Sequence, residues 1–586
     1  MSHEPFLDVD KSCRGLRWQA RCADEAAITA LEQSKGLDNL TAKLLAGRGI
    51  SPELAGGFLS PTLKGSLPDP STLQDMDKAT ALIIDAVKAK QKITIFADYD
   101  VDGGSSAAQL IKWGRGCGIE IGLYVPDRIK EGYGPTIEAF QQLKDEGNDL
   151  VITVDCGAAA EEALRAAANL DLPIIVIDHH LMHGALPPCA ALVNPNREDD
   201  SSGLGHLAAA GVSFMLLVAL DGEWRRRGEV SQVKLLDLLG LTALGTVCDV
   251  VPLTGVNRAF VAQGLKVLSR NQNIGIKALA DIANAAPPYG AYHCGFVLGP
   301  RINAGGRIGR SDMGAELLST ENAQTAYAHA AELDRVNKDR RALQGRIQVE
   351  ALEAAQKIAE TDAVIIVAME GWHAGVIGIV AGRLKDRFDK PSIVIGIDDN
   401  GLCKGSGRSL SGVNLGEAIS RAKDAGLLLS GGGHAMAGGL SLEVNKLDAF
   451  RQFMNEELGA DVAQARANLS LKIDALIAPT MASMATIETI DHVGPYGAGN
   501  PQPIFALSDM RISYAERVRG GHVRCAFENG SGDRISGICF RADETGLADV
   551  LLDSNSPKVH IAGRLKADNW KGRSRVDFQL IDMAIA

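Results

Sequence analysis

The sequence predicts an α/β protein of several units: two α/β units joined by a long helix and followed by a C-terminal β-barrel. Three observations carry this. From about residue 79, short apolar runs alternate with helix-forming stretches, the pattern of βαβ units around a parallel sheet. Residues 315–359 contain no proline and repeat apolar positions at helical spacing. Beyond residue 468 the pattern becomes short alternating segments divided by turns. A chain of 586 residues is too long for one hydrophobic core, and a prior of roughly 150 residues per domain gives about three or four units. The expected segments are 1–75, 76–312, 313–360, 361–462 and 468–586.

In chain order, residues 1–75 are mixed in pattern, with Pro61, Pro68 and Pro70 marking a connector. In 76–312 the apolar runs 93–97, 150–154 and 172–177 read as strands, and 105–113, 136–146 and 158–168 as helices. A fourth apolar run, 235–244, leads through Gly245-Thr246-Val247-Cys248 to Asp249. In 313–360, Leu333, Val336, Leu343, Ile347, Ala351 and Ile358 recur among charged residues at spacings of three, four and seven, an amphipathic helix long enough to separate domains. The unit 361–462 has strands at 363–368 and 392–396 and two glycine clusters, around Arg408 and around His434. In 468–586, Val576, Phe578 and Leu580 alternate with Asp577, Gln579 and Ile581, and Asn529-Gly530 and Lys571-Gly572 are turn signals.

The chemistry concentrates where strands end. The run 93–97 is followed by Asp98-Tyr99-Asp100-Val101-Asp102-Gly103, three carboxylates in five residues with no basic residue among them. Such a turn repels itself unless a cation sits in it. The second strand ends in Asp155-Cys156-Gly157, the third in Asp178-His179-His180, and Asp249 is a fourth acid after an apolar run. In a parallel sheet these positions gather beyond the carboxyl ends of the strands, where such folds bind ligands. Oxygen and imidazole donors suit Mn²⁺ or Mg²⁺, and two such ions with a bridging carboxylate fit phosphoester hydrolysis, with Asp100, Asp102, Asp155, His179 and Asp249 as the ligand set. A calcium loop fits poorly, because the twelfth position is Gln109 and the preceding segment is strand-like. His183 raises zinc, which the lack of nearby cysteine disfavours.

The glycine clusters are tight turns on the plain reading; Arg408 and His434 within them favour an anion pocket completed by backbone N–H groups. Gly114-x-Gly116-x-Gly118 follows a helix, so it is no dinucleotide fingerprint. In the tail, Arg511, Arg517, Arg519, Arg524, Arg564, Lys566, Lys571, Arg573 and Arg575 lie near Tyr514, Phe527, Phe540 and Trp570. That is the make-up of a single-strand groove, or of core aromatics under a solvated face. A net charge of −12 argues against wrapping duplex DNA by bulk electrostatics but leaves a narrow basic channel open. The ten cysteines are scattered without a C-x-x-C pair, which indicates reduced thiols. No apolar run approaches the roughly 18 residues of a membrane helix and no signal peptide is visible, so a cytoplasmic protein is expected.

The four acid motifs, in this order, resemble those of the DHH phosphoesterase superfamily. Further elements resemble more narrowly the bacterial RecJ family of single-stranded-DNA-specific exonucleases: Leu44-Leu45-Ala46-Gly47-Arg48-Gly49-Ile50, Asp127-Arg128 with Glu131-Gly132-Tyr133-Gly134, Gly299-Pro300-Arg301-Ile302-Asn303-Ala304-Gly305-Gly306-Arg307, Trp372-His373-Ala374-Gly375, Ser406-Gly407-Arg408, Gly432-Gly433-His434 and Gly497-Ala498-Gly499-Asn500-Pro501. The resemblance implies DHH and DHHA1 domains with an OB-fold tail, and a 5′-to-3′ exonuclease that releases mononucleotides from single-stranded DNA with two Mn²⁺ or Mg²⁺ ions, in recombination and repair. It implies Asp100 and Asp155 on one ion and Asp102, Asp155, His179 and Asp249 on the other, with Asp98 and His180 beside them in the catalytic set. Arg128, Arg301, Asn303, Arg307, Ser406, Arg408 and His434 become substrate-binding candidates. A single-strand-binding protein and a helicase become expected partners. The sequence departs from the family at Gly104-Ser105-Ser106, where a Thr-Ala pair is expected; the carboxylates are unaffected. The alternative is a superfamily hydrolase of short oligonucleotides, cyclic dinucleotides or pyrophosphate, against which the β-rich tail counts. A non-catalytic binding protein is disfavoured because every ligand position is filled.

Overall fold

The computed structural model describes residues 4–128, 130–182, 184–553, 555, 557–568 and 575–586. The chain forms two compact units: one of residues 56–340 and 494–501, the other of residues 1–55, 341–493 and 502–586.

The first unit is built on a five-stranded, all-parallel sheet: β1 (Ile93–Ala97), β2 (Gly122–Tyr124), β3 (Leu150–Val154), β4 (Ile174–Ile177) and β5 (Ala191–Val193), in the order β2-β1-β3-β4-β5. Its central strands are buried on both faces, which is why they read as unbroken apolar runs. Alternate side chains feed two cores. Ile95, Ile152 and Ile175 pack on the side of α1 (Val101–Gly116), α2 (Ala209–Arg226) and α3 (Leu235–Cys248), while Phe96, Val151 and Val176 meet Phe140 and Leu164 on the other. The strand order reverses at β1, so the crevice between the ends of β1 and β3 is the topological switch point.

Two expectations change here. The apolar run 235–244 belongs to the helix α3, apolar because it is buried almost all round, and Asp249 caps its C-terminus. The fourth acid therefore comes from a helix end. The helix expected over 313–360 is two helices, Met313–Ser319 and α5 (Ala323–Gln356), with α4 (Gly299–Ile308) before them. Asn322 divides the pair, its side-chain oxygen accepting from Thr325 N–H as an N-cap.

The second unit contains a mixed sheet of β6 (Ile365–Glu370), β7 (Ser392–Ile397), β8 (Leu402–Arg408), β9 (Ser430–His434) and β10 (Ala437–Glu443), ordered β9-β10-β8-β7-β6. Helix α6 (Ala374–Phe388) follows β6. The glycine clusters are thus strands, not turns. Small residues suit these rows, since a Cβ on Gly407 would stand 2.7 Å from the Leu415 side chain and one on Gly438 2.5 Å from that of Ile419, and each would force a buried neighbour to shift. After the helix Leu447–Ala467, the chain forms β11 (Ala475–Leu476), β12 (Phe505–Val518), β13 (His522–Glu528), β14 (Arg534–Cys539), β15 (Val559–Asp568) and β16 (Arg575–Ile585). The pairings β12-β13-β14-β16-β15 close through β15 on β12, a five-stranded barrel. The N-terminal strand Arg17–Ala20 pairs in parallel with Ser470–Ile473 in this unit. All ten cysteines are free thiols, and no described helix is long and apolar enough to cross a membrane.

Candidate metal centre

The acid loop after β1 is held by its own backbone. The N-terminal N–H groups of α1 are all satisfied: Val101 donates to Asn303 Oδ1 at 3.0 Å, Asp102 and Gly103 to Asp100 Oδ1 at 2.8 and 3.1 Å, and Gly104 to the Asp100 carbonyl at 2.9 Å. Asp102, fully buried, accepts from the first N–H groups of α2, Ala209 at 2.7 Å and Ala210 at 2.9 Å. A helix N-terminus thereby fixes a carboxylate in the floor of the site.

Around this floor the other motifs converge. His179 Nε2 lies 3.3 Å from Asp155 Oδ1, 3.6 Å from Asp249 Oδ2 and 3.9 Å from Asp102 Oδ2. Asp98, Asp100 and Asp155 bring oxygens within 4.8 Å of one another, as do the donors of Asp102, His179 and Asp249, and those of Asp155, His179 and His180. Asp155 is thus common to two of these groups. Buried Asp98 Oδ1, Asp155 Oδ1 and His179 Nε2 have no hydrogen-bond partner among the described residues, a costly state for polar atoms unless something else binds them. Burial, then the neighbouring carboxylates, pushes Asp98, Asp102 and Asp155 well above the usual carboxylate range, and Asp249 up to about 7. Burial brings His179 down to about 4, leaving a neutral imidazole with a lone pair. Four acids that oppose one another's ionisation, with an orphaned imidazole among them, fit hard divalent cations.

Beside the cluster, Asp178 accepts from Ala158, His179 and His180 N–H and meets His180 Nδ1 at 2.8 Å. Burial would raise its pKa, but the His180 contact and these N–H groups hold it at about 2. Burial would lower that of His180, yet the bond to Asp178 and the surrounding carboxylates raise it. Arg128 stacks 5.1 Å from the Tyr99 ring centroid, and Arg128 and Arg307 both act electrostatically on the half-buried Tyr99, in the middle of the acid loop. Arg301 is engaged elsewhere, donating to Asp334 at 2.9 Å and to the Val297 carbonyl at 2.7 Å. Asn303 supports the loop through Val101. The sequence patterns did not mark three contributors: the Ala209 and Ala210 N–H groups, the orienting contact of Asp178, and Tyr133, whose hydroxyl donates to the Asp155 carbonyl at 3.1 Å. The first lacks any side-chain signal. The other two lie inside quoted motifs, as the first residue of Asp-His-His and as the tyrosine between Gly132 and Gly134.

In the second unit, Arg408, Ala437 and His434 stand in one row across β8, β10 and β9, and Ser406 in the row with Gly439 and Gly432. Arg408 donates to Ser406 Oγ at 3.1 Å, and His434 is exposed. The anion pocket lined by backbone N–H groups is not formed on β8, whose main chain is paired on both sides; side chains alone offer contacts there. On the barrel, Phe527 is core whereas Tyr514 and Phe540 are exposed. Arg511, Arg517 and Arg575 pair with Glu528, Asp543 and Asp568 at 3.5, 3.0 and 2.8 Å, and Lys566 donates to Gln502 at 2.9 Å. The even basic groove is thereby reduced, with Arg519 and Arg524 left exposed. Trp570, Lys571, Gly572, Arg573 and His183 lie outside the described residues.

Comparison with known proteins places these features in a family. Residues 92–246 match the DHH family N-terminal domain, residues 361–460 the DHHA1 domain and residues 473–582 the RecJ OB domain. The single-stranded-DNA-specific exonuclease RecJ of Salmonella typhimurium is 33% identical over 588 aligned residues, 98% of this chain and 99% of that protein. The crystal structure of RecJ from Thermus thermophilus in complex with Mn²⁺ matches with a TM-score of 0.79 at 27% identity, covering 96% of this chain and 78% of that one. The Mg²⁺ complex of the same protein matches with a TM-score of 0.72 at 26% identity, covering 96% and 77%.

Proposed function

The chain belongs to the RecJ family of single-stranded-DNA-specific exonucleases, and from that premise we propose that it degrades single-stranded DNA from the 5′ end, releasing mononucleotides, in recombination and repair. The observation that carries the reading is the convergence of Asp98, Asp100, Asp102, Asp155, His179, His180 and Asp249 into three adjoining donor groups, in which Asp155 and His179 each belong to two. Asp100 and Asp155, with Asp98 beside them, would hold one Mn²⁺ or Mg²⁺ ion, and Asp102, Asp155, His179 and Asp249 would hold a second. Bound there, the ions supply Lewis acidity toward water and the scissile phosphate.

The remaining work belongs to side chains. Asp178 keeps the Nδ1 side of His180 engaged, so the opposite nitrogen is the one available to pass a proton or to donate to a phosphate oxygen. Arg128 and Arg307 bring positive charge to the acid loop for the phosphate that enters it. Ser406, Arg408 and His434 are proposed phosphate contacts on the second unit, and the barrel, through its exposed aromatics, grips the single strand. Arg301 and Asn303 act through the hydrogen bonds that brace α4 and the acid loop. The barrel favours a polymeric strand over the short substrates of smaller superfamily hydrolases. A cytoplasmic site of action, alongside a single-strand-binding protein and a helicase, completes the reading.

The test is digestion of matched single- and double-stranded DNA labelled at either end, with Mn²⁺ or Mg²⁺. Early loss of a 5′ label as mononucleotide from single strands alone supports the proposal; early loss of a 3′ label, or equal attack on duplex, defeats it. Asp155→Ala should abolish cleavage while single-strand binding persists.

A further inference from the structure

Tyr133, between β2 and the helix Ile137–Asp145, carries out no step of the proposed reaction. Tyr133 sits between two glycines in the left-handed region, Gly132 at φ 94° and Gly134 at φ 78°, backbone that other residues adopt reluctantly. Just before them Glu131 latches the loop down: one oxygen accepts from Asp127 N–H at 2.6 Å and the other from the Tyr124 hydroxyl at 2.7 Å. Helix Ile137–Asp145 begins immediately after, capped by Thr136. Both ends of the segment are therefore anchored, and its conformation points one side chain inward.

That side chain is divided in two. The residue remains 55% exposed, so its ring adds little to the core. Its hydroxyl donates to the main-chain carbonyl of Asp155 at 3.1 Å and lies 3.4 Å from both nitrogens of the His180 ring. Asp155 is the residue most in need of such a contact. It is a non-glycine at φ 61°, a sparsely populated conformation that persists only where its surroundings impose it. Its N–H is fixed by the Ile177 carbonyl at 3.0 Å, and its carbonyl by Tyr133. Since the backbone angles set the direction of Cβ, holding both sides of the residue aims the carboxylate.

We propose that Tyr133 is a positioning residue that clamps the Asp155 carbonyl and so keeps the shared carboxylate directed at both cation positions. This rests on the reading that Asp155 holds metal. A tyrosine placed for packing would bury its ring and leave the hydroxyl to solvent, the reverse of what is found.

The test is calorimetric titration of the full chain with Mn²⁺ alone, beside the melting temperature of the metal-free protein. Tyr133→Phe should weaken Mn²⁺ binding about fivefold, the equilibrium equivalent of one hydrogen bond, and raise the Mn²⁺ concentration needed for half-maximal cleavage, while the metal-free melting temperature falls by no more than the loss of about one hydrogen bond produces. Tyr133→Leu should lose the same Mn²⁺ affinity, because the hydroxyl alone acts. Unchanged Mn²⁺ affinity in Tyr133→Phe overturns the clamp, and so does a Leu variant far weaker than the Phe variant, which would move the role to the ring. Asp155→Asn is the reference: if it binds Mn²⁺ like the unaltered chain, the metal reading beneath the inference has failed rather than the inference itself.

Discussion

Gly245 lies so close to Asp102 that a Cβ added to it would stand 2.5 Å from Asp102 Oδ1 and 2.6 Å from the Ala210 Cβ. The glycine lets α3 approach the carboxylate and the helix start that holds it, and Asp249, one turn further on, reaches the site from the same helix face. Gly245→Ala should therefore displace Asp102 and Asp249 together. We expect a loss of at least about 100-fold in cleavage of 5′-labelled single strands and a destabilisation of about 1–3 kcal/mol from overpacking, read from the urea midpoint. Cleavage at the unaltered rate would falsify the proposed placement of Asp102.

Five aspartates in one largely buried cluster leave the metal-free protein with unrelieved repulsion, and cations bound there stabilise the folded state by mass action. At a hundredfold excess over Kd, one Mn²⁺ site contributes about 2.7 kcal/mol, a rise of roughly 4 °C in a unit of this size. Calorimetry with Mn²⁺ and after exhaustive chelation measures it. The difference should shrink sharply in Asp155→Ala, and a variant that keeps the full rise refutes the shared role of Asp155.

The parallel sheet was legible because its central strands are buried on both faces and so spell continuous apolar runs, each ending in the residue that carries the chemistry: Asp98, Asp155, Asp178. Asp249 was legible as an acid but not in its setting, since a helix buried all round spells the same apolar run as a strand. Gly405 and Gly407 resemble turn residues in sequence because what excludes a side chain there is Leu440 and Leu415, which the fold rather than the local pattern brings close. Arg301 reads as a phosphate ligand in the sequence, and no local pattern shows that its guanidinium also pairs with Asp334, thirty-three residues further on. Nothing local distinguishes Phe527, wholly buried, from Tyr514, on the strand it pairs with and open to solvent.

The carboxylate of Asp474 is fully buried and binds two guanidiniums through one oxygen, Arg21 Nε at 3.0 Å and Arg48 Nη1 at 3.0 Å, while its other oxygen accepts from Ile504 N–H at 2.9 Å. Arg48 belongs to the Leu44 to Ile50 element, which thus serves to fasten the N-terminal segment to the start of the barrel. Removing the acid strands buried positive charge, so Asp474→Ala should cost about 3–5 kcal/mol in chemical denaturation. A cost below about 1 kcal/mol would show that water or another acid replaces it.

Tyr514 offers an open ring on the outer face of the barrel, its hydroxyl bonded to Glu516, with Arg524 opposite Glu516 on the neighbouring strand. An aromatic face beside an exposed guanidinium is what a nucleobase and its phosphate require. Tyr514→Ala should weaken binding of a long single strand by about 1–3 kcal/mol per lost stacked base. Arg524→Ala should weaken it less and lower the slope of log affinity against log salt by about 1. Neither change should slow hydrolysis of a short oligonucleotide. Phe527→Ala behaves differently because the ring is core, costing about 3–5 kcal/mol of stability whatever the substrate. Should Tyr514→Ala depress cleavage of short and long strands equally, the ring is acting on the fold and the barrel has another grip.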